Sequence, residues 1–123
     1  MNKRPKYLNP FKIRLPLPGL VSFLHRVSGV LLFAAIPLLL ATLQLSLLSA
    51  EGFESARQSL SGPLVKPVLI LLLWGGLHHF FAGLRFLAMD MRLGLELGTA
   101  RKSSLLVMVL SPALAILIGA ALW

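Results

Sequence analysis

Three long apolar runs, set apart by short polar stretches, organise this chain. The first extends from about Val21 to Leu48, the second from about Leu64 to Met89, and the third from about Ser104 to Trp123. Each reaches the roughly 20 residues that a helix rising 1.5 Å per residue needs to cross the hydrocarbon core. The expectation is an all-α integral membrane protein with three transmembrane helices, residues 1–123 forming one membrane domain. The first two runs are longer than a span requires, so they tilt or reach into the headgroup zone. Residues 1–20 carry Pro5, Pro10, Pro16, Pro18 and Gly19. Proline removes backbone donors, so this N-terminal arm is expected to be extended or turned. Residues 49–63 are polar and end in Gly62-Pro63, which reads as a loop with a short surface helix around Glu54–Leu60. Residues 92–103, with Gly94, Gly98, Arg101 and Lys102, read as a second polar connection.

Composition strengthens this picture. Of the 123 residues, 57% are hydrophobic and 13% charged, against roughly 25% charged in soluble domains. The absence of cysteine excludes disulfides, thiolate zinc sites, Cys-ligated iron–sulfur clusters and c-type haem attachment in this chain. A signal peptide is not expected, because the first apolar run exceeds the roughly 7–15 residues of a signal core.

The net charge of +8 does not point to nucleic acid, since the basic residues flank spans instead of forming one stripe. It does suggest an orientation. Lys3, Arg4, Lys6, Lys12, Arg14, Arg26, Arg85, Arg92, Arg101 and Lys102 fall on one side, and only Arg57 and Lys66 on the other. The positive-inside bias puts the N-terminus in the cytoplasm and Trp123 outside, as an interfacial anchor.

Candidate chemistry lies in two places. Ser22, His25 and Arg26 open the first span at helical spacing, so a hydroxyl, an imidazole and a guanidinium share a patch. An arginine snorkelling to headgroups and a serine capping a helix are the ordinary alternative. Together, with Gly29 permitting close approach, the three can hydrogen-bond a carbonyl ligand such as a quinone, or hold a carboxylate.

The second place is the pair His78-His79, in the middle of a span where ionisable groups are costly and rare. Gly75, Gly76 and Gly83 lie three or four residues from His79. The glycine stripe is either a helix-packing face or clearance for a flat macrocycle, and the histidine within it favours His79 as a haem ligand. His78 neighbours Trp74, Gly75, Ala82 and, further along, Phe86, a more crowded face. A six-coordinate b-type haem needs a second axial ligand. At 1.5 Å per residue, His79 lies roughly 15 Å from its cytoplasmic end and His25 only about 6 Å from its helix start. On that depth His25 is excluded, and the second ligand is expected from another polypeptide. Arg85 is placed to approach haem propionates or a partner's carboxylates, and Asp90 to pair with Arg85 or Arg26; for each, a solvated or interfacial charge is the simpler alternative.

The stretch S-F-L-H-R-V-S-G-V (22–30), followed about fifty residues later by H-F-F-A-G-L-R-F-L-A-M-D (79–90), resembles the succinate dehydrogenase cytochrome b subunit family. This is the larger hydrophobic anchor of complex II in the bacterial inner membrane. The resemblance runs through the basic arm, the E-G-F-E loop and the third span ending in Trp. It implies packing against a second three-helix anchor subunit, with one b haem shared between the two. A flavoprotein and an iron–sulfur subunit would oxidise succinate and pass electrons to ubiquinone, so this chain alone would not be an enzyme. It further implies that Ser22 and Arg26 match quinone-site residues. His79 would be the axial ligand, with the other axial histidine on the second anchor, and His25 and Arg26 would lie near the haem propionates. One departure is Phe86, where the family often has histidine; a propionate contact from that position is lost or replaced. A small histidine-dependent transporter and a haem-free structural anchor are the competing classes. The transporter calls for an intramembrane carboxylate, and Asp90 lies at a helix end.

Overall fold

A computed structural model describes residues 14–122. The arm's Lys3, Arg4, Lys6, Lys12, Pro5 and Pro10, and the Trp123 anchor, lie outside the described residues. Four helices follow in order: α1 (Leu17–Leu48), α2 (Ala50–Leu60), α3 (Val65–Asp90) and α4 (Leu97–Leu122). α1, α3 and α4 are long and apolar enough to cross a membrane. α3 runs antiparallel to both others, and each long helix packs on the other two.

The helices overrun the boundaries expected from the apolar runs, for identifiable reasons. α1 begins at Leu17, not Val21, because Pro16 is its N-cap and Pro18 falls in the first turn. A first-turn amide has no intrahelical partner to lose, so proline costs nothing there. α2 takes up nearly all of the first connection. Ser49 caps it, its hydroxyl accepting from the Gly52 amide at 3.0 Å. Glu54 and Arg57 form a 2.9 Å ion pair on its exposed face, and the hydrogen bond from Arg57 holds the Glu54 carboxyl below its ordinary pKa. α4 starts at Leu97, so Gly98, Arg101 and Lys102 are helical and the second connection shrinks to residues 91–96. Two left-handed residues, Arg92 (φ 61°) and Gly94 (φ 73°), reverse the chain there. Pro37 and Pro112 sit inside α1 and α4, which neighbouring helices make tolerable in a membrane.

The interior is built from small and polar residues, and the surface from large apolar ones. Val21, Ala82 and Val107 meet where the three long helices come together, with Phe81, Phe86 and Met108 against them. Ser28, His78, Arg85, Ser104 and Ser111 are also buried, while Val30, Phe33 and Leu38 are more than two-thirds exposed. Ser104 and Ser111 each donate to a carbonyl of their own helix at 2.7 Å, leaving no hydroxyl unsatisfied away from water. Small residues let the helix axes approach closely, the main source of packing where lipid is as apolar as protein.

The tightest contact is the corner between α1 and α2, where a Cβ on Gly52 would collide with the Leu45 carbonyl oxygen. Backbone meets backbone there, so nothing flexible can give way. Gly52→Ala is expected to lower stability by about 1–3 kcal/mol. Thermal denaturation in detergent and faster proteolysis of residues 49–63 would register it; an unchanged melting point would show that the corner relaxes freely.

Candidate functional site

His79 is seated by α1. Its Nδ1 lies 3.1 Å from the His25 backbone oxygen and 3.3 Å from Ser28 Oγ. A carbonyl oxygen only accepts, so Nδ1 carries the proton and Nε2 is left with the lone pair. Ser28, almost fully buried, donates its own hydroxyl to the same His25 oxygen at 2.9 Å. The ring edge rests on Gly29, where a Cβ would stand 3.1 Å from His79 Cε1. The close approach that Gly29 permits is therefore that of the His79 ring. No hydrogen bond among the described residues uses Nε2.

The His25 ring lies flat on the His79 ring, centroids 4.1 Å apart and planes 13° from parallel. This overturns the depth argument that separated them. α1 starts a turn earlier than its apolar run, and antiparallel packing brings residue 25 level with residue 79. A different reason now keeps them from being trans axial ligands of one iron: no ion fits between two stacked rings.

The glycine stripe faces α1. The space beside Gly75 is taken by Leu31 at 3.2 Å from a would-be Cβ, that beside Gly76 by Leu32 at 3.9 Å, and that beside Gly83 by His25 Nε2 at 3.7 Å. In this structure the stripe is a packing face for α1. What singles out His79 is its tied Nδ1 and unused Nε2.

His78 turns into the bundle. It is completely buried, its ring 5.6 Å from Trp74. The Val21 backbone approaches the ring, but neither ring nitrogen makes a hydrogen bond of good geometry. Arg85 turns away from the His79 face, lying about 120° around the helix from it. Its Nε donates to Ser103 Oγ at 3.0 Å and its Nη2 to the Ala100 oxygen at 3.4 Å. In this structure the side chain clamps α3 to α4. Asp90 is exposed and joins neither Arg85 nor Arg26, since the only ion pair among the described residues is Arg57–Glu54. Phe86 stands edge-on to the His25 ring at 5.2 Å. Ser22 is half-buried and Arg26 exposed, one turn apart on α1, and Arg26 borders an open apolar groove with Val27, Val30 and Ala34. No three His, Cys, Asp or Glu side chains converge among the described residues, so these residues build no cage for a bare metal ion.

The model of the succinate dehydrogenase/fumarate reductase transmembrane subunit family matches residues 1–118. The chain belongs to that family. Within it, the chain is 34% identical over 122 residues to a succinate dehydrogenase cytochrome b556 subunit of Coxiella burnetii, covering 98% of both chains. It is 35% identical over 104 residues to the protein of the same description in Paracoccus denitrificans, covering 85% of this chain and 80% of that one. The family match spans all four helices, so the His25–His79 seat and the α2 corner both belong to this transmembrane subunit.

Sequence reasoning had no role for Ser28 and left Phe86 without one. Their signal lies only in the S-x-x-H-R-x-S-G spacing and in the seven-residue interval from His79 to Phe86, which returns to one helix face. In ¹⁵N NMR of the histidine-labelled protein, His79 is expected as the tautomer protonated at Nδ1. Gly29→Val, which drives a side chain into the ring edge, is expected to lose that signature. An Nε2–H signal from His79 in the unaltered protein would contradict the seat.

Proposed function

We propose that this chain is a membrane-anchor subunit of succinate dehydrogenase. In this reading His79 Nε2 is an axial ligand of a b haem, and Ser22 and Arg26 form part of the site where ubiquinone is reduced. The observation that carries it is the His79 seat: Nδ1 tied to a backbone oxygen and Nε2 unused, the arrangement that orients an imidazole as a metal ligand. The relatives' description as cytochrome b556 subunits supports the same reading.

The haem, when bound, supplies one-electron redox chemistry. The chain's own residues hold and orient. The His25 carbonyl and Ser28 keep the His79 lone pair aimed in one direction. His25 and Arg26 are near the propionates in this reading, with Arg26 between haem and quinone. The Ser22 hydroxyl and Arg26 guanidinium hydrogen-bond a quinone carbonyl. The fixed positive charge favours negative charge on that oxygen as electrons arrive. Because His25 is stacked on His79, the second axial histidine comes from a companion small anchor subunit. Succinate chemistry lies on flavoprotein and iron–sulfur subunits, so this chain is not catalytic alone. The family resemblance supports a place in the bacterial inner membrane, and the positive-inside bias supports a cytoplasmic N-terminus for this chain. α2 then lies on the far side, where its single arginine is neutralised by Glu54.

Two measurements test the proposal. The dithionite-reduced complex is expected to show a b-type alpha band. His79→Ala should reduce haem to less than about a tenth, since even residues supporting a ligand cost 10–100-fold in affinity. His78→Leu, which replaces an unsatisfied ring by an apolar side chain, should keep it; equal loss in both variants would remove His79 from its assigned role. Arg26→Ala should cut quinone reduction about tenfold or more, as loss of a charged hydrogen bond of about 1.5–3 kcal/mol entails. Ser22→Ala should cut it less. Succinate oxidation by an artificial acceptor should be unaffected in both, and unaltered quinone kinetics would take this patch out of the site.

A further inference from the structure

We infer that His25 and Phe86 are positioning residues that set the plane of the His79 ring, His25 through its stacked face, in addition to its place near the propionates. This rests on the reading of His79 as a haem ligand and says how this chain orients that ligand.

An imidazole's terminal torsion is broad and poorly determined on its own. His79 is constrained on three sides. One face lies on the His25 ring at 4.1 Å, Nδ1 is held by the His25 oxygen at 3.1 Å, and the Cε1 edge meets Gly29. Two of the three constraints come from His25, one from its backbone and one from its ring. The backbone oxygen fixes which nitrogen points outward, but a ring can still rock about that bond. The stacked face removes the rocking.

The His25 ring needs a stop of its own, and Phe86 provides it. The two rings meet at 5.2 Å and 68°, an edge-to-face pair of the kind aromatic quadrupoles favour. Phe86 lies seven residues beyond His79 on the same face of α3, so a rigid helix sets the spacing between stop and ligand. The next residue back, Arg85, lies 5.5 Å over the Phe86 ring and is bonded to α4 through Ser103. Contacts therefore run from α4 through Arg85, Phe86 and His25 to His79. Phenylalanine has no donor, so Phe86 acts by shape alone.

Ring and donor are separable by substitution. His25→Phe keeps a ring without a donor; His25→Gln keeps a donor without a ring. Phe86→Tyr keeps the aromatic edge; Phe86→Ala removes it. The orientation of an axial imidazole sets the g anisotropy of low-spin ferric haem, so electron paramagnetic resonance of the purified complex reads the ring plane. Pyridine haemochrome assay gives haem content for each variant. His25→Phe and Phe86→Tyr are expected to keep the wild-type g values. His25→Gln and Phe86→Ala should retain haem but shift or broaden the largest g value. The reverse pattern for residue 25, Gln unchanged and Phe shifted, would overturn the inference in favour of a donor role. Wild-type spectra in all four would overturn it as well; haem content in His25→Phe reads the propionate contact separately, and its g values are compared on the haem that remains. A wild-type complex without haem would instead remove the ligand reading beneath it.

Discussion

A polar group inside a bilayer has no water to turn to, and the molecule is arranged around that constraint. An unsatisfied backbone or side-chain polar atom in hydrocarbon costs several kcal/mol. His78, His79 and Arg85 therefore sit between helices and not on the lipid face. His79 is bonded to α1, Arg85 to α4, and the buried serines to their own backbones. These bonds fix where the helices touch. The His79 bond sets the register of α1 against α3, and the Arg85 bond sets α3 against α4. Small residues between them bring the backbones close enough for the bonds to form.

Two groups depart from this constraint: Arg85 keeps one guanidinium nitrogen, Nη1, without a partner, and His78 has neither ring nitrogen bonded. The His78 side chain is fully enclosed. It stands one residue from a histidine whose seat is complete. On the proposed reading, burial alone does not make a ligand. What distinguishes His79 is one nitrogen committed to a carbonyl and the other uncommitted, whereas His78 has neither nitrogen committed and is sealed on all sides.

Much of the fold was legible in the chain. Three spans follow from apolar runs because the bilayer imposes length and composition together. Their ends were not legible from hydropathy: Pro18 suggested an arm but lies in a first turn, and Arg101 and Lys102 suggested a loop but lie in α4. Helix ends depend on which amides need partners, and hydropathy does not report that. That His79 and His78 face different ways was legible through helical phase. Phase separated the two faces correctly, but a one-chain reading could not show that α1 fills the glycine stripe. The level of His25 was misread through the same boundary error at Leu17. Ser28 and Phe86 acquire roles only when two helices are juxtaposed, so the single-helix spacings that contain them do not disclose those roles.

The stacking of His25 on His79 has a consequence for how the site is completed. A ligand ring gripped on one face, one nitrogen and one edge has only its remaining nitrogen to offer, and α1 supplies all three grips. On the proposed reading this chain therefore brings a pre-oriented half-site, and whatever completes it must approach from outside the α1–α3 seam. That side of the chain is apolar and exposed, with Phe23, Val27, Phe80 and Leu84 each close to half exposed. A second anchor subunit would cover such a surface and contribute the trans histidine in the same act. Orientation of the ligand would then precede assembly, because every contact that sets it lies within one chain.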